Sequence, residues 1–208
     1  MVRGLMGGTF DPIHLGHLLI ASAALEEMAL DSVLFLPDGD PPHKQPHSAP
    51  RHRLRMAQLA CEGEPRFQVS DMELRRHGRT YTVDTLLALK AMNPAEDLVY
   101  LVGSDTLLLF PTWRTADKVA QLCRMAVVMR PGDDRDTVEK AQADYAQRYG
   151  LKSRVLKRQG LNLSSSQVRQ AVAEGQSIEG MVPPVVAEYI ESHGLYQPGG
   201  QEEQGTSF

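Results

Sequence analysis

Apolar positions along the chain fall into short continuous runs that alternate with helical spacing. Val2 to Met6 is an apolar run that stops at Gly7-Gly8, and Leu15 to Leu30 then carries leucines, alanines and Met28 at helical spacing. Ser32 to Leu36, reading Ser-Val-Leu-Phe-Leu, is a second apolar run, stopped by Pro37. Strand, helix and strand in this order make a βαβ unit, and strands that are apolar throughout predict a parallel sheet covered on both faces. The pattern recurs downstream. Phe67 to Ser70, Leu98 to Val102 and Met125 to Met129 read as strands, with helices over Arg51 to Cys61, Thr82 to Met92 and Asp136 to Tyr149. The predicted fold class is α/β, a Rossmann-like doubly wound parallel sheet of about five strands.

Two stretches break this alternation. Pro37 to Pro50 holds five prolines and no hydrophobic periodicity, which predicts a long loop leaving the carboxyl end of the second strand, of a length that usually serves function. After Gly160 helices are expected over Ser165 to Ala173 and Pro184 to His193 with no further strand, so residues 160–196 read as a small helical C-terminal appendix. A single domain over 1–196 is expected, followed by a Gly-, Gln- and Glu-rich tail over 197–208 that reads as disordered.

Composition narrows the classes. With 42% hydrophobic residues in 208 the chain can bury a real core, which excludes disorder as its main state. Its formal charge of −4 argues against nucleic-acid binding through a global positive field. Cys61 and Cys123 form no C-x-x-C pair and no disulfide framework; two half-buried thiols in a reducing compartment are expected. Leu18 to Leu25 is far short of the about 20 apolar residues that cross a bilayer, and no basic segment precedes it as in a signal peptide. A soluble cytoplasmic protein without membrane or nucleic-acid partners is the expectation, with monomer and homodimer both open.

The densest chemistry is Gly7-Gly8-Thr9-Phe10-Asp11-Pro12-Ile13-His14-Leu15-Gly16-His17, between the first strand and the first helix. In an open α/β sheet this is the carboxyl edge, where ligands bind. Two glycines admit a ligand close to the backbone, and the helix start offers unpaired N–H groups and a positive dipole end to an anion. His14 and His17, three apart, point to one side of the first helical turn. They suit a polyphosphate whose charge grows during reaction. A metal site of His14, His17 and Asp11 is the competing reading, although a zinc-binding helix usually spaces its histidines by four. No G-x-x-x-x-G-K-[ST] is present, and the first turn lacks the third glycine of G-x-G-x-x-G, which counts against a P-loop enzyme and a dinucleotide dehydrogenase.

Other candidates follow from position. Lys44 lies in the proline-rich loop, where a long ammonium can reach a phosphate. Arg51, Arg53 and Arg55 read as a solvated helix face. Ser165 and Ser166 either cap a helix or, with Arg169 one turn later on the same face, offer donors to a phosphate chain. Gly103 and Asp105 follow a strand at the carboxyl edge, where the carboxylate either takes ribose hydroxyls or caps a helix starting near Thr106. Trp113 is either a core residue or a loop indole that stacks on a ring.

The motif Gly7 to His17 resembles the signature of the H-x-G-H nucleotidyltransferase superfamily and is most similar to that of the bacterial nicotinate mononucleotide adenylyltransferases. Pro41-Pro42-His43-Lys44, Thr80-Tyr81-Thr82-Val83-Asp84-Thr85, Gly103-Ser104-Asp105 with Trp113, Arg130-Pro131-Gly132 and Ser164-Ser165-Ser166-Gln167-Val168-Arg169 match further segments in the same order. Ser166 replaces a common threonine and keeps its hydroxyl. The resemblance implies adenylyl transfer from ATP to nicotinate mononucleotide, giving deamido-NAD and pyrophosphate. It implies that His14, His17, Lys44 and Arg169 stabilise the triphosphate, and that Gly7, Gly8, Thr9, Phe10, Gly103, Asp105, Ser165 and Ser166 join them around ATP. Tyr81, Thr82, Trp113, Arg130 and Lys44 are implied to hold the mononucleotide, and Mg2+ to arrive with ATP rather than on a dedicated protein site. A sister enzyme acting on nicotinamide mononucleotide or phosphopantetheine, and a non-catalytic nucleotide sensor, are the alternatives.

Overall fold

The computed structural model describes residues 1–39, 46–76 and 78–198. Among them the order is β1 (Val2–Gly8), α1 (Leu15–Glu27), β2 (Ser32–Pro37), α2 (Pro50–Cys61), β3 (Phe67–Val69), α3 (Thr82–Met92), β4 (Asp97–Gly103), α4 (Ser104–Leu108), a 3-10 turn (Phe110–Thr112), α5 (Ala116–Leu122), β5 (Arg124–Val128), α6 (Arg135–Tyr149), β6 (Ser153–Val155), α7 (Ser165–Ala173) and α8 (Pro184–Ser192). Lys44, with Pro41, Pro42 and His43, lies outside the described residues, as do residues 199–208 of the tail.

The strands form one sheet in the order β3-β2-β1-β4-β5-β6. The β1–β4, β4–β5 and β5–β6 ladders are parallel. This is the order of a doubly wound sheet, with its reversal between β1 and β4. The expected five strands become six. The addition is β6, whose sequence Ser-Arg-Val holds no apolar run because an edge strand need not be apolar on both sides. Helix α1 stops at Glu27 rather than Leu30, since Ala29 enters the left-handed region at φ 49° and the chain turns toward β2. Helix α5 carried no expectation; its seven residues are too few for periodicity to declare it.

The chain divides into two compact units. One comprises Met1–Met6, Leu19–Leu34 and Tyr81–Asn162. Its core is built by Leu5, Leu98, Val99, Leu101 and Met125 to Val128 of the sheet, with Val83, Leu86 and Leu89 of α3 and Val119 of α5. Gly4 is small for a reason: a Cβ there would stand 2.8 Å from Leu30 Cδ1 and 3.0 Å from Val33 Cγ2. Helix α6 begins on Asp134, whose carboxylate accepts the Asp136 and Thr137 N–H groups, and ends on Gly150 at φ 71°. Glu27 at the end of α1 accepts the Lys157 N–H at 2.7 Å and the Arg158 N–H at 3.0 Å, tying α1 to the segment after β6.

The other unit comprises Gly7–Leu18, Phe35–Thr80 and the chain from Leu163 on. Here α2 packs on β3 and α8. Buried Met56, Ala57 and Cys61 lie on one face of α2 and Val186 and Ile190 on one face of α8. His52 Nδ1 and Tyr189 OH pair at 2.9 Å where the two helices meet.

Candidate active site

The first turn of the second unit is built around two rings. His14, 6% exposed, and His17 stack with centroids 3.7 Å apart and planes 26° from parallel. Phe10 meets His17 edge-on at 5.0 Å and packs against Phe35 at 5.9 Å. Its ring is therefore buried bracing, and what Phe10 can offer a nucleotide is main chain. Phe10 adopts φ 49°, and a Cβ on Gly8 would come within 3.3 Å of its ring. Gly16 is set by the same packing, because a Cβ there would stand 2.9 Å from His14 Nδ1.

The hydrogen bonds sharpen the expected anion chemistry. The His14 N–H donates to His17 Nδ1 at 3.1 Å, which places the proton of a neutral His17 ring on Nε2 and makes that atom a donor. The Leu15 N–H donates to the Met181 carbonyl at 2.9 Å, and the His17 N–H to the His14 carbonyl at 2.9 Å. The start of α1 thus spends these amides internally, contrary to the expectation of unpaired N–H groups. Asp11 is likewise committed, accepting from His47 N–H, Ser48 Oγ and Tyr196 OH. That occupation disfavours the three-ligand metal reading.

Helix α7 supplies the second half of this cradle. Its N-cap is Ser164, one residue before the two serines expected, in a reciprocal box with Gln167. Ser165 and Ser166 are then the first helical residues, whose N–H groups have no intrahelical acceptor. Ser165 Oγ donates to the Pro12 carbonyl at 2.9 Å, so its one hydroxyl proton is spent on the turn. Arg169 Nη2 donates to Ser166 Oγ at 3.1 Å, leaving the Ser166 proton for another acceptor. Arg169 Nη1 donates to the Asp11 carbonyl at 2.7 Å. Gly7, Gly8, Thr9, Phe10, His14, His17, Ser165, Ser166 and Arg169 all lie in this unit, and the bonds from Ser165 and Arg169 join α7 to the first turn.

The remaining candidates lie in the first unit. At the carboxyl ends of β4 and β5, Arg130 Nη1 approaches Asp105 Oδ2 at 3.5 Å, with both side chains more than half exposed. Asp105 Oδ1 also accepts the Thr106 N–H at 2.8 Å, but α4 starts at Ser104 rather than near Thr106, with Gly103 as its N-cap and no side-chain cap bond, so Asp105 lies inside the helix and does not cap it. A Cβ at Gly103 would stand 2.5 Å from Asp105 Oδ1. The Arg130 N–H donates to Asp133 at 2.6 Å and Ser104 Oγ donates to the same carboxylate, which holds the two strand ends together. Trp113 is half-buried, edge-on to Tyr100 at 5.7 Å and tilted on Phe110 at 5.7 Å. The neighbouring Arg114 lies 4.6 Å from the Tyr81 ring centroid. Tyr81 is the N-cap of α3 without a side-chain cap bond, so the amides after it, from Thr82 on, are not covered by a capping side chain.

Two readings need correction. Arg53 does not sit on a solvated face: it is 0% exposed, and its Nη1 bridges the Thr9 carbonyl at 2.9 Å and the Asp38 carbonyl at 2.8 Å. Burial pulls its pKa down, opposed by Asp11 and Asp38. The signal was present, since Arg53 stands three, four and eight residues before the buried Met56, Ala57 and Cys61 on one helical stripe. The cysteines are buried rather than half-buried, and burial pushes both thiols up to about 12.

Residues 5–171 match the cytidylyltransferase-like family model. A relative from Thermomicrobium roseum, named probable nicotinate-nucleotide adenylyltransferase, is 43% identical over 198 residues, covering 93% of this chain and 91% of its own length. One of the same name from Dehalococcoides mccartyi is 39% identical over 198 residues, covering 93% and 96%. The fold is similar to that of Plasmodium falciparum nicotinic acid mononucleotide adenylyltransferase complexed with NaAD, at TM-score 0.77 and 18% identity over 94% of this chain and 97% of the other. With its H-x-G-H turn, its doubly wound sheet and these relatives, the chain belongs to the nicotinate-nucleotide adenylyltransferases of the cytidylyltransferase-like family.

Proposed function

We propose that this protein transfers the adenylyl group of ATP to nicotinate mononucleotide, forming deamido-NAD and pyrophosphate, in the cytoplasm. The observation that carries the reading is the stacked His14/His17 pair facing a turn joined to α7 by Arg169 and Ser165. A 5′-phosphate oxygen of the mononucleotide bonds to the α-phosphorus of ATP while the bond to the β-bridging oxygen breaks. That phosphate is ionised at neutral pH, so the step needs no protein nucleophile, and catalysis consists of positioning and charge stabilisation. Negative charge accumulates on the leaving pyrophosphate, where His14, His17, Ser166 and Arg169 act as donors. Lys44 is assigned to the same polyphosphate. Magnesium enters as the counter-ion of ATP and is part of that substrate.

Asp105 accepts the ATP ribose hydroxyls, Trp113 stacks on the pyridine ring, and the amides at Tyr81 and Thr82 meet its carboxylate. Arg130 binds the mononucleotide phosphate; its exposed pair with Asp105 contributes little in water and is readily exchanged for a ligand. Pyrophosphate release from ATP, with nicotinate mononucleotide, nicotinamide mononucleotide and phosphopantetheine offered separately, tests the reading. Turnover with the nicotinate acceptor is expected; turnover with phosphopantetheine alone would reject the substrate, and none with any acceptor would favour a nucleotide sensor. His17→Ala is expected to lower kcat by on the order of 10²-fold under saturating substrates, and near-normal turnover would remove the histidines from the mechanism.

A further inference from the structure

Asp11 is 3% exposed, and no step of the proposed reaction uses its carboxylate. Three donors nevertheless converge on it from two distant stretches of chain. The His47 N–H reaches Oδ2 at 2.5 Å, Ser48 Oγ donates to Oδ1 at 2.5 Å, and Tyr196 OH donates to the same Oδ1 at 2.7 Å. Ser48 Oγ and Tyr196 OH also lie 3.3 Å apart. The main chain at this point is held by α7, through Arg169 on the Asp11 carbonyl and Ser165 on the Pro12 carbonyl. One buried carboxylate therefore anchors the two residues whose carbonyls orient Arg169 and Ser165 and which precede His14.

Tyr196 reaches this position by an unusual backbone path. After α8 the chain turns through Gly194 at φ 59° and Tyr196 at φ 64°, with the Leu195 N–H donating to the Ile190 carbonyl at 3.0 Å. A left-handed conformation is unfavourable for tyrosine and persists only where surrounding contacts impose it. Burial, and then the facing Asp11, push its phenol above the ordinary tyrosine range, so it remains a donor.

We propose that Tyr196 is a positioning residue of the nucleotide site: its hydroxyl, with the Ser48 hydroxyl and the His47 N–H, clamps Asp11 and thereby sets the turn on which Arg169 and His14 are aligned. The inference rests on the reading of this turn as the ATP polyphosphate site. Tyr196→Phe removes only the hydroxyl. It is expected to lower kcat/KM for ATP by about tenfold, to leave KM for nicotinate mononucleotide within about twofold, and to shift the melting temperature by no more than about 3 °C. Asp11→Asn should reproduce that split, and the double variant should be no worse than the worse single one, as expected for residues acting through one contact. Amide hydrogen exchange over residues 9–17 should quicken in Tyr196→Phe while that over Arg135–Tyr149 stays as in the parent. Unchanged ATP kinetics and exchange, additive losses in the double variant, or parallel losses for both substrates with a falling melting temperature would overturn the clamp. If the parent released no pyrophosphate with any acceptor, the adenylyl-transfer reading would fail, and the exchange experiment would still decide whether Tyr196 holds the turn.

Discussion

Gly16 separates two histidines in the sequence, and in the fold it leaves the space that lets one of them lie flat on the other. A Cβ would stand 2.9 Å from His14 Nδ1 and 3.0 Å from Cε1, and the ring is buried against His17. Gly16→Ala must therefore displace a ring whose placement sets the donor geometry, and misplacement by about 1 Å can cost on the order of 10²-fold in rate. We expect a drop in kcat of about tenfold or more with little change in melting temperature; parent-like turnover would show that the stacked geometry is dispensable. At this scale the sequence was informative where spacing decides placement, as with His14 and His17, whose rings lie on one side of the turn. It misjudged Arg53, because a cationic run reads as surface unless each member is placed on the apolar stripe of its helix. Ser165 is a subtler case: its type suits a phosphate, and only the bond to the Pro12 carbonyl shows where its proton goes.

Among the elements, α7 follows the clearest local rule. Its start is fixed by Ser164 and Gln167, each accepting from the other's main chain. That cap places Ser166 one turn before Arg169, which donates both to Ser166 Oγ and to the Asp11 carbonyl. Ser164→Ala should destabilise the protein by about 1 kcal/mol in denaturant unfolding, with the slope of the transition unchanged. It should also raise KM for ATP, since the first turn of α7 frays; a stability loss with unchanged ATP kinetics would separate the cap from the site. Long periodic elements were legible almost to the residue, α3 and α7 in full. Short ones were not. β6 and α5 span three and seven residues, fewer than two cycles of a helical pattern or one apolar run.

For the whole molecule, a net charge of −4 is compatible with anion chemistry because His14, His17 and Arg169 are gathered within one unit. Acid stability offers a test of how the chain is held together away from the site. Glu27 loses solvent on folding, which raises its pKa, but the Lys157 and Arg158 N–H bonds outweigh this and hold it below the ordinary 4.5. A carboxyl lowered in the folded state contributes stability that is fully present above its unfolded pKa and is lost as pH falls through the folded value. Glu27→Gln should thus melt below the parent at neutral pH, and the gap should close as pH drops below about 4.5. Melting curves between pH 7 and the acid limit of the fold check this; a gap independent of pH would assign the loss to packing. Among the described residues no helix is long and apolar enough to cross a membrane.

What the sequence determined by itself was whatever local covalent order carries: apolar runs that become buried parallel strands, the strand-glycine-helix order that puts His14 and His17 at a carboxyl edge, and the motifs that mark the family. Tertiary structure alone decided how polar groups are shared. The Leu15 amide at the start of α1 goes to the Met181 carbonyl rather than to solvent, Asp11 is claimed by Ser48 and Tyr196, and the buried Arg53 donates to the Thr9 carbonyl. Hydrogen bonds of this kind join residues up to 185 positions apart. Periodicity and spacing act over one or two turns, so no local pattern encodes those pairings; they exist only once the chain has closed on itself.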